Sequence, residues 1–314
     1  MGWARDACAR PRALAVDAHL PHPHSDHVRM DLTTRTLTCG TRASTLSARD
    51  VRLVMPESED VVVDVYSAMG RPNDDPHWAD LWHGGAALAA RVFERPELVR
   101  GKRVIDLGCG LGIAGIAAAM CGAKEVVMSD REERALWCAL AGCRANGVRD
   151  VRALAREWNF PDDVELPPLP SFDEVEDCGS DCVVSAVKVD WFEPELAPTG
   201  FDVVLACDVL YTPAAVDAIA TLVLRLFEKR EDDAGRDIHD DGRASGTFIL
   251  ADPPGRFPKN HERFMSLMEN PSLIPGYEGR DRRSIVSVTS SIEECLNLEL
   301  KTMAVKLSMY DITS

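Results

Sequence analysis

The strongest chemical signal in the chain is the run Asp106-Leu107-Gly108-Cys109-Gly110-Leu111-Gly112. It lies between a β-branched segment, RVIDLG, and a run of small apolar residues, GIAGIAAAMC. Alternating glycines let a backbone turn tightly and approach a ligand closely. The helix start beyond them offers free N–H groups to a carboxylate or phosphate. A dinucleotide-binding turn requires Gly-x-Gly-x-x-Gly, but the sixth residue counted from Gly108 is Ile113. The carboxylate of Asp106, just before the turn, is a poor neighbour for a pyrophosphate and a good one for a positive amino group. Asp130 ends the next strand-like segment, EVVMSD. A carboxylate there can accept both hydroxyls of a ribose. NAD and S-adenosylmethionine both carry that ribose, so Asp130 does not separate them.

Other polar clusters carry less. His19, His22, His24 and His27 have a spacing that permits metal binding, but their Pro-rich context reads as an unstructured tail. Cys178 and Cys182 flank a short acidic loop with no His beside them and read as unpaired thiols. No metal site is expected. The ten cysteines include no Cys-x-x-Cys, and several sit in apolar segments, which points to a reducing compartment.

The elements that must position these residues follow a regular order. VRLVMP and VVVDVY read as strands, with order beginning near Val51. From Gly101 onward strands and helices alternate. RVIDLG, EVVMSD, FDVVLACD and GTFILAD are the strands. Ala135, Leu136, Ala139, Leu140 and Cys143 share one helix face, as do Val216, Ile219, Leu222, Val223 and Leu226. Pro258 starts a further helix carrying Phe264, Leu267 and Met268. SIVSVTS and LKTMAVKLSMYDI close the chain as an antiparallel edge. Such alternation predicts an α/β, Rossmann-like doubly wound sheet, mostly parallel, with an antiparallel C-terminal strand. Its ligands belong at the carboxyl ends of the strands.

The chain has 314 residues and a net charge of -16, which argues against a broad nucleic-acid-binding face. No apolar run is long enough to span a membrane. Residues 162–181 hold half of the net charge, with eight acids and no Lys or Arg. They belong to an acidic insertion over about 159–182, inside a domain running from 51 to 314. Residues 1–50 read as a flexible extension. Within it, residues 30–49 carry six Thr, two Ser, three Arg and one acid, a composition shared with organellar transit peptides. The expected location is the cytoplasm, with a mitochondrion or chloroplast as the alternative.

VIDLGCGLGIAGIAAAMCGAKEVVMSD resembles the first two strands of the seven-stranded class I S-adenosylmethionine-dependent methyltransferases. HWADLWHGGAALA, FDVVLACDVLY and LADPPGRFPKNHERF narrow the resemblance. They are similar to segments of the lysine methyltransferase and nicotinamide-N-methyltransferase-like family, and to its electron-transfer-flavoprotein β-subunit lysine methyltransferase branch. The likeness covers roughly residues 51–310. It implies S-adenosylmethionine as cofactor. Trp82 would cover the cofactor, Asp106, Gly108, Cys109 and Gly110 would hold its methionine part, and Asp130 its ribose. Asp190 and Trp191 would meet the adenine, with Glu157-Trp158 as a rival pair. Ala206 would lie beside the sulfonium, and Asp208 and Tyr211 would face the substrate. In Asp252-Pro253-Pro254-Gly255 a glycine stands where an amide-methylating motif has an aromatic, so this segment reads as a turn bordering the substrate side.

The resemblance thus implies an N-methyltransferase acting on a lysine of a protein substrate, with no nucleic-acid or membrane partner. A small-molecule methyltransferase uses the same cofactor site. A nicotinamide-dependent oxidoreductase is disfavoured by Ile113 and Asp106. A non-catalytic binding protein retaining the fold is the remaining alternative.

Overall fold

The computed structural model describes residues 19–20, 30–41, 44–152, 169–172, 175–228, 245–274, 284–296 and 303–313. His22, His24, His27, Trp158 and half of the acidic stretch 159–182 lie outside the described residues. In chain order the elements are β1 (His19–Leu20), β2 (Met30–Thr41), β3 (Ser44–Pro56), α1 (Glu59–Ala68), α2 (His83–Glu94), β4 (Arg103–Leu107) and α3 (Ile113–Met120). Then come β5 (Glu125–Asp130), α4 (Glu133–Ala145), β6 (Asp150–Val151), β7 (Val183–Lys188), β8 (Val203–Cys207) and α5 (Pro213–Leu226). β9 (Ser245–Asp252), α6 (Pro258–Glu269), β10 (Ser284–Leu296) and β11 (Met303–Thr313) complete the order.

The strands form one sheet in the order β1-β2-β10-β11-β9-β8-β4-β5-β7-β6, with β3 paired to β2. β7, β5, β4, β8 and β9 are parallel, and β11 joins β9 antiparallel. The expected doubly wound arrangement is present, with its antiparallel strand inserted between β9 and β10. Side chains alternate between two buried faces. Val104, Val126, Leu205 and Ile249 pack under α2, α3 and α4. Ile105, Val127, Val204 and Phe248 pack under α5 and α6. Both faces are covered, which is why these strands read as continuous apolar runs.

Two expectations need correction. VVVDVY is not a strand but lies in α1, where Val62, Val65 and Tyr66 are buried at helical spacing while Val63 and Asp64 face solvent. Glu59 and Asp60 in the first turn favour this helix through its dipole. Order does not begin near Val51 either: β2 pairs with β3 from Leu32↔Pro56 to Thr41↔Ser44. Met30, Leu37 and Cys39 are completely or almost completely buried there, although threonines and arginines surround them in sequence. The C-terminal pair β10–β11 forms the expected antiparallel side of the sheet, and β2 touches β10 only at its end, through Cys295↔Thr41 and Leu296↔Gly40.

The β2–β3 hairpin also changes the environment of α4. Leu136, Ala139, Leu140 and Cys143 meet the sheet core, whereas Trp137, Cys138, Ala141 and Ala145 meet Met30, Val54 and Tyr66. The helix is therefore buried on both sides. Asn146, at its end, fixes the hairpin. Its Oδ1 accepts from the Arg52 N–H at 2.9 Å, and its Nδ2 donates to the carbonyls of Arg52 at 2.6 Å and Gly142 at 2.8 Å. Asn146→Ala removes the side-chain partners of the part-buried Arg52 N–H and carbonyl and is expected to destabilise the fold by about 1–3 kcal/mol. Denaturant unfolding measures the loss, and hydrogen exchange should place the faster opening in β2 and β3.

Candidate functional site

The sheet order reverses between β4 and β8. Ligands of open α/β sheets bind in the crevice at that point, and a cavity of about 640 Å³ opens there. The turn after β4 forms its floor. Gly108, Gly110 and Gly112 have φ of 65°, 50° and 75°, a region that side chains disfavour. Space is short as well. A Cβ on Gly108 would lie 2.9 Å from the Trp191 ring, and one on Gly110 would lie 3.0 Å from the Trp78 carbonyl oxygen.

Two buried carboxylates frame this turn. Asp106 Oδ2 accepts from the Gly115 N–H at 2.8 Å, inside the first turn of α3. Its Oδ1 is buried and has no hydrogen-bond partner among the described residues. Burial pushes the Asp106 carboxyl up to about 7, against the pull of the Gly115 N–H, and the nearby Asp130 adds to the rise. Asp130 Oδ2 accepts from the Gly110 N–H at 2.9 Å and Oδ1 from the Glu132 N–H at 3.0 Å. Burial raises Asp130 to about 6 despite these bonds. An acid held partly neutral without a ligand is one that a ligand's positive charge or hydroxyl groups can return to the ionised form.

The opposite wall comes from the end of β8. Asp208 has a φ of 54°, the sole non-glycine with positive φ among the described residues. Its N–H donates to the Ala251 carbonyl at 3.0 Å, which ties the strained residue to β9. Oδ2 accepts from the Gly84 N–H at 3.1 Å, and Oδ1 from Arg256 Nη1 at 3.0 Å. Burial, and then the Asp252 charge, push Asp208 up to about 7, while Arg256 and the Gly84 N–H pull it down. Burial also raises the Cys109 and Cys207 thiols, so neither is a ready thiolate.

The predicted residues converge with one exception. Trp82, Cys109, Asp130, Asp190, Trp191 and Tyr211 line the cavity, together with Asp106, Gly108, Gly110 and Asp208. Trp191 and Tyr211 meet edge to face at 6.0 Å. Asp190 Oδ1 accepts from the Phe192 N–H at 2.9 Å, which shapes the loop after β7. Ala206 does not line the cavity. It is fully buried among Ile105, Leu107 and Val216 on the α5 face, because alternation along β8 turns it away.

Sequence reasoning missed two groups. Glu132 accepts from Tyr66 Oη at 2.8 Å and from Arg134 Nη1 at 2.9 Å, and Trp78 Nε1 donates to Tyr66 Oη at 2.9 Å. This buried chain joins α1 to the residues just after Asp130. Its one visible signal is an acid two residues beyond Asp130. The second group is Arg256 and Phe257, which line the cavity, whereas the preceding Asp252-Pro253-Pro254-Gly255 residues do not. The Arg256 guanidinium lies 4.7 Å from the centre of the Trp82 ring. Glu59, His77 and Asp80 bring ligand atoms within 4.8 Å of one another, but all lie at partly exposed positions.

Residues 79–165 match the family model of the methyltransferase small domain. The chain is 39% identical over 85 residues to the electron transfer flavoprotein beta subunit lysine methyltransferase of Rattus norvegicus, which spans 27% of this chain and 33% of that protein. It is 30% identical over 148 residues to the protein of that name from Danio rerio, spanning 47% of this chain and 44% of that one. It is 26% identical over 153 residues to the histone-arginine methyltransferase METTL23 of Xenopus laevis, spanning 48% of this chain and 51% of that one. The chain thus spans between a third and about half of the length of these relatives.

The raised carboxyls carry a stability consequence. A free aspartate titrates near 3.8, whereas Asp106 titrates near 7 and Asp130 near 6 in the folded chain. Between those limits the folded state holds protons that the unfolded state has released, so stability falls as pH rises. Without ligand, the protein is expected to melt lower at about pH 7.5 than at about pH 5. Asp106→Asn keeps an acceptor for Gly115 and removes the buried charge. It should raise the melting temperature at pH 7.5 by about 2–4 °C per kcal/mol recovered and flatten the pH dependence. Thermal melts of both proteins across that range provide the check, and parallel curves would assign the slope to other groups.

Proposed function

We propose that this chain, with its methyltransferase small-domain match over residues 79–165, is an S-adenosylmethionine-dependent N-methyltransferase acting on a lysine side chain of a protein. One observation carries the reading: a buried carboxylate oxygen of Asp106 without a partner among the described residues, beside a glycine turn that side chains would fill. That arrangement fits a ligand with a positive amino group next to a close backbone approach. It does not fit a pyrophosphate. The ribose assignment rests on Asp130, whose two oxygens each hold one N–H and keep a lone pair for a hydroxyl. In the same reading Trp191 meets the adenine and Trp82 closes the near side.

When bound, the cofactor supplies a methyl group on a cationic sulfonium, open to in-line displacement. The protein's share is alignment, which can contribute about 7–11 kcal/mol. Asp208 receives the acceptor's ammonium and orients it, and Tyr211 narrows the channel. An amine nucleophile must lose its proton, and a free lysine titrates near 10.4. Desolvation against the aromatic wall lowers that value, the Asp208 charge opposes the fall, and water takes the proton before the methyl is transferred. The acceptor class draws on this anionic, aromatic wall and on the names of the relatives. Seven described cysteines, Cys109, Cys121, Cys138, Cys143, Cys178, Cys182 and Cys207, form no disulfide, which suits a reducing compartment, the cytoplasm or an organelle interior. No described helix is long and apolar enough to cross a membrane.

S-adenosylmethionine is expected to bind the wild-type protein, and Asp130→Ala to weaken it at least about tenfold, or 1.4 kcal/mol, with the fold retained. Calorimetry checks both, and absence of binding to wild type would sink the proposal. Labelled cofactor added to a lysate then tests the acceptor: label in protein supports lysine, and label confined to small metabolites moves the acceptor to that class.

A further expectation concerns acidity. Asp208 must be ionised to hold a cation, and it titrates near 7. Activity should fall as pH drops below about 7, and this limb should be missing from the residual activity of Asp208→Asn. An unchanged limb in that variant would place the titration elsewhere.

A further inference from the structure

Arg256 is held by a combination that is itself a recognition element for cations. Its Nη1 donates to Asp208 Oδ1 at 3.0 Å. Its guanidinium lies over the Trp82 ring at 4.7 Å and near the Phe257 ring at 5.4 Å. A carboxylate with aromatic faces is the chemistry that selects ammonium and guanidinium groups.

The fixed and movable parts of this box differ. The Asp208 side chain is only 6% exposed, and the Gly84 N–H pins its other oxygen. A Cβ on Gly84 would stand 2.2 Å from that oxygen, so the contact depends on glycine. Trp82 is anchored by its Nε1, which donates to the His77 carbonyl at 2.9 Å. Among the described residues, Arg256 has no anchor for its side chain besides Asp208 and the rings. Its side chain is 36% exposed and extends from a turn whose Gly255 has a φ of 79°. All three residues line the same cavity as Asp106 and Asp130.

We propose that Asp208 and Trp82 form the seat for the acceptor's cation, and that Arg256 fills this seat as an internal stand-in until a cationic acceptor displaces it. The inference rests on the methyl-transfer reading for its biological meaning, but the seat can be tested without turnover. Displacement by a like charge keeps Asp208 paired throughout. A neutral acceptor would have to leave a buried carboxylate unpaired, so the device selects for cations. Because Arg256 competes, the observed affinity for an acceptor is reduced by the fraction of time the seat is occupied.

The probe is n-butylammonium, a mimic of the lysine side chain, titrated into the full chain while the Trp82 indole N–H is followed by NMR. Arg256→Gln and Arg256→Met are both expected to bind it about tenfold more tightly than wild type, as for a seat open about a tenth of the time. Adding Asp208→Asn to either variant should abolish the gain. Equal affinity in wild type and both single variants would overturn the proposal, as would a gain that survives loss of the Asp208 charge. S-adenosylmethionine affinity is measured on the same preparations. Its retention shows that the variants are folded, so that flat n-butylammonium curves count against the seat. Its absence from wild type instead counts against the methyltransferase reading and leaves the seat to be judged by the amine titration.

Discussion

Everything at this site depends on keeping carboxylates out of water at the carboxyl ends of a parallel sheet. Asp106 and Asp130 sit where β4 and β5 stop, and each is stabilised by main-chain N–H groups of the glycine turn or of the helix beyond it. Those bonds only partly offset desolvation, since both acids stay well above the ordinary aspartate range. The turn and the acids are mutually dependent. Without glycine at 110, the backbone could not reach Asp130 while passing the Trp78 carbonyl. Without Asp130, the Gly110 N–H would lose its acceptor.

Most of this was legible in the sequence because the signals are local. A β-branched run, an acid and alternating glycines follow one another within a few residues, and each has a backbone meaning. The parallel strands were visible because burial on two faces leaves them uniformly apolar. What escaped reading depends on tertiary contact. VVVDVY has strand composition, but its helix is selected by what Val62, Val65 and Tyr66 pack against. Residues 30–41 look like a polar leader because alternate side chains face outward. Thr33 and Arg35 are at less buried positions, while Leu32, Leu37 and Cys39 carry the contact.

The site residues divide in the same way. Asp106 and Asp130 were singled out from their places at the ends of strand-like segments, whereas Asp208, just past β8, was implied by the family resemblance. Ala206 was misplaced relative to the cavity by one step of strand alternation. Glu132 and Arg256 gave little sign, since their partners Tyr66 and Trp82 lie far away in sequence. Those partners come from the segment preceding β4, which wraps the carboxyl end of the sheet and supplies the aromatic side of the cavity. The N-terminal hairpin does similar work at a distance, since it encloses the outer side of α4 and so steadies the helix that follows Asp130.

The left-handed backbone of Asp208 has an evolutionary consequence. Asparagine is among the few residues that tolerate this conformation nearly as well as glycine does. A single base change converts an aspartate codon to an asparagine codon. The position can thus lose its charge while keeping its shape, its backbone geometry and its bond to Gly84. A duplicated copy of this gene would stand one nucleotide from a protein that keeps the fold and the Asp106–Asp130 pocket but has lost the carboxylate charge that faces Arg256.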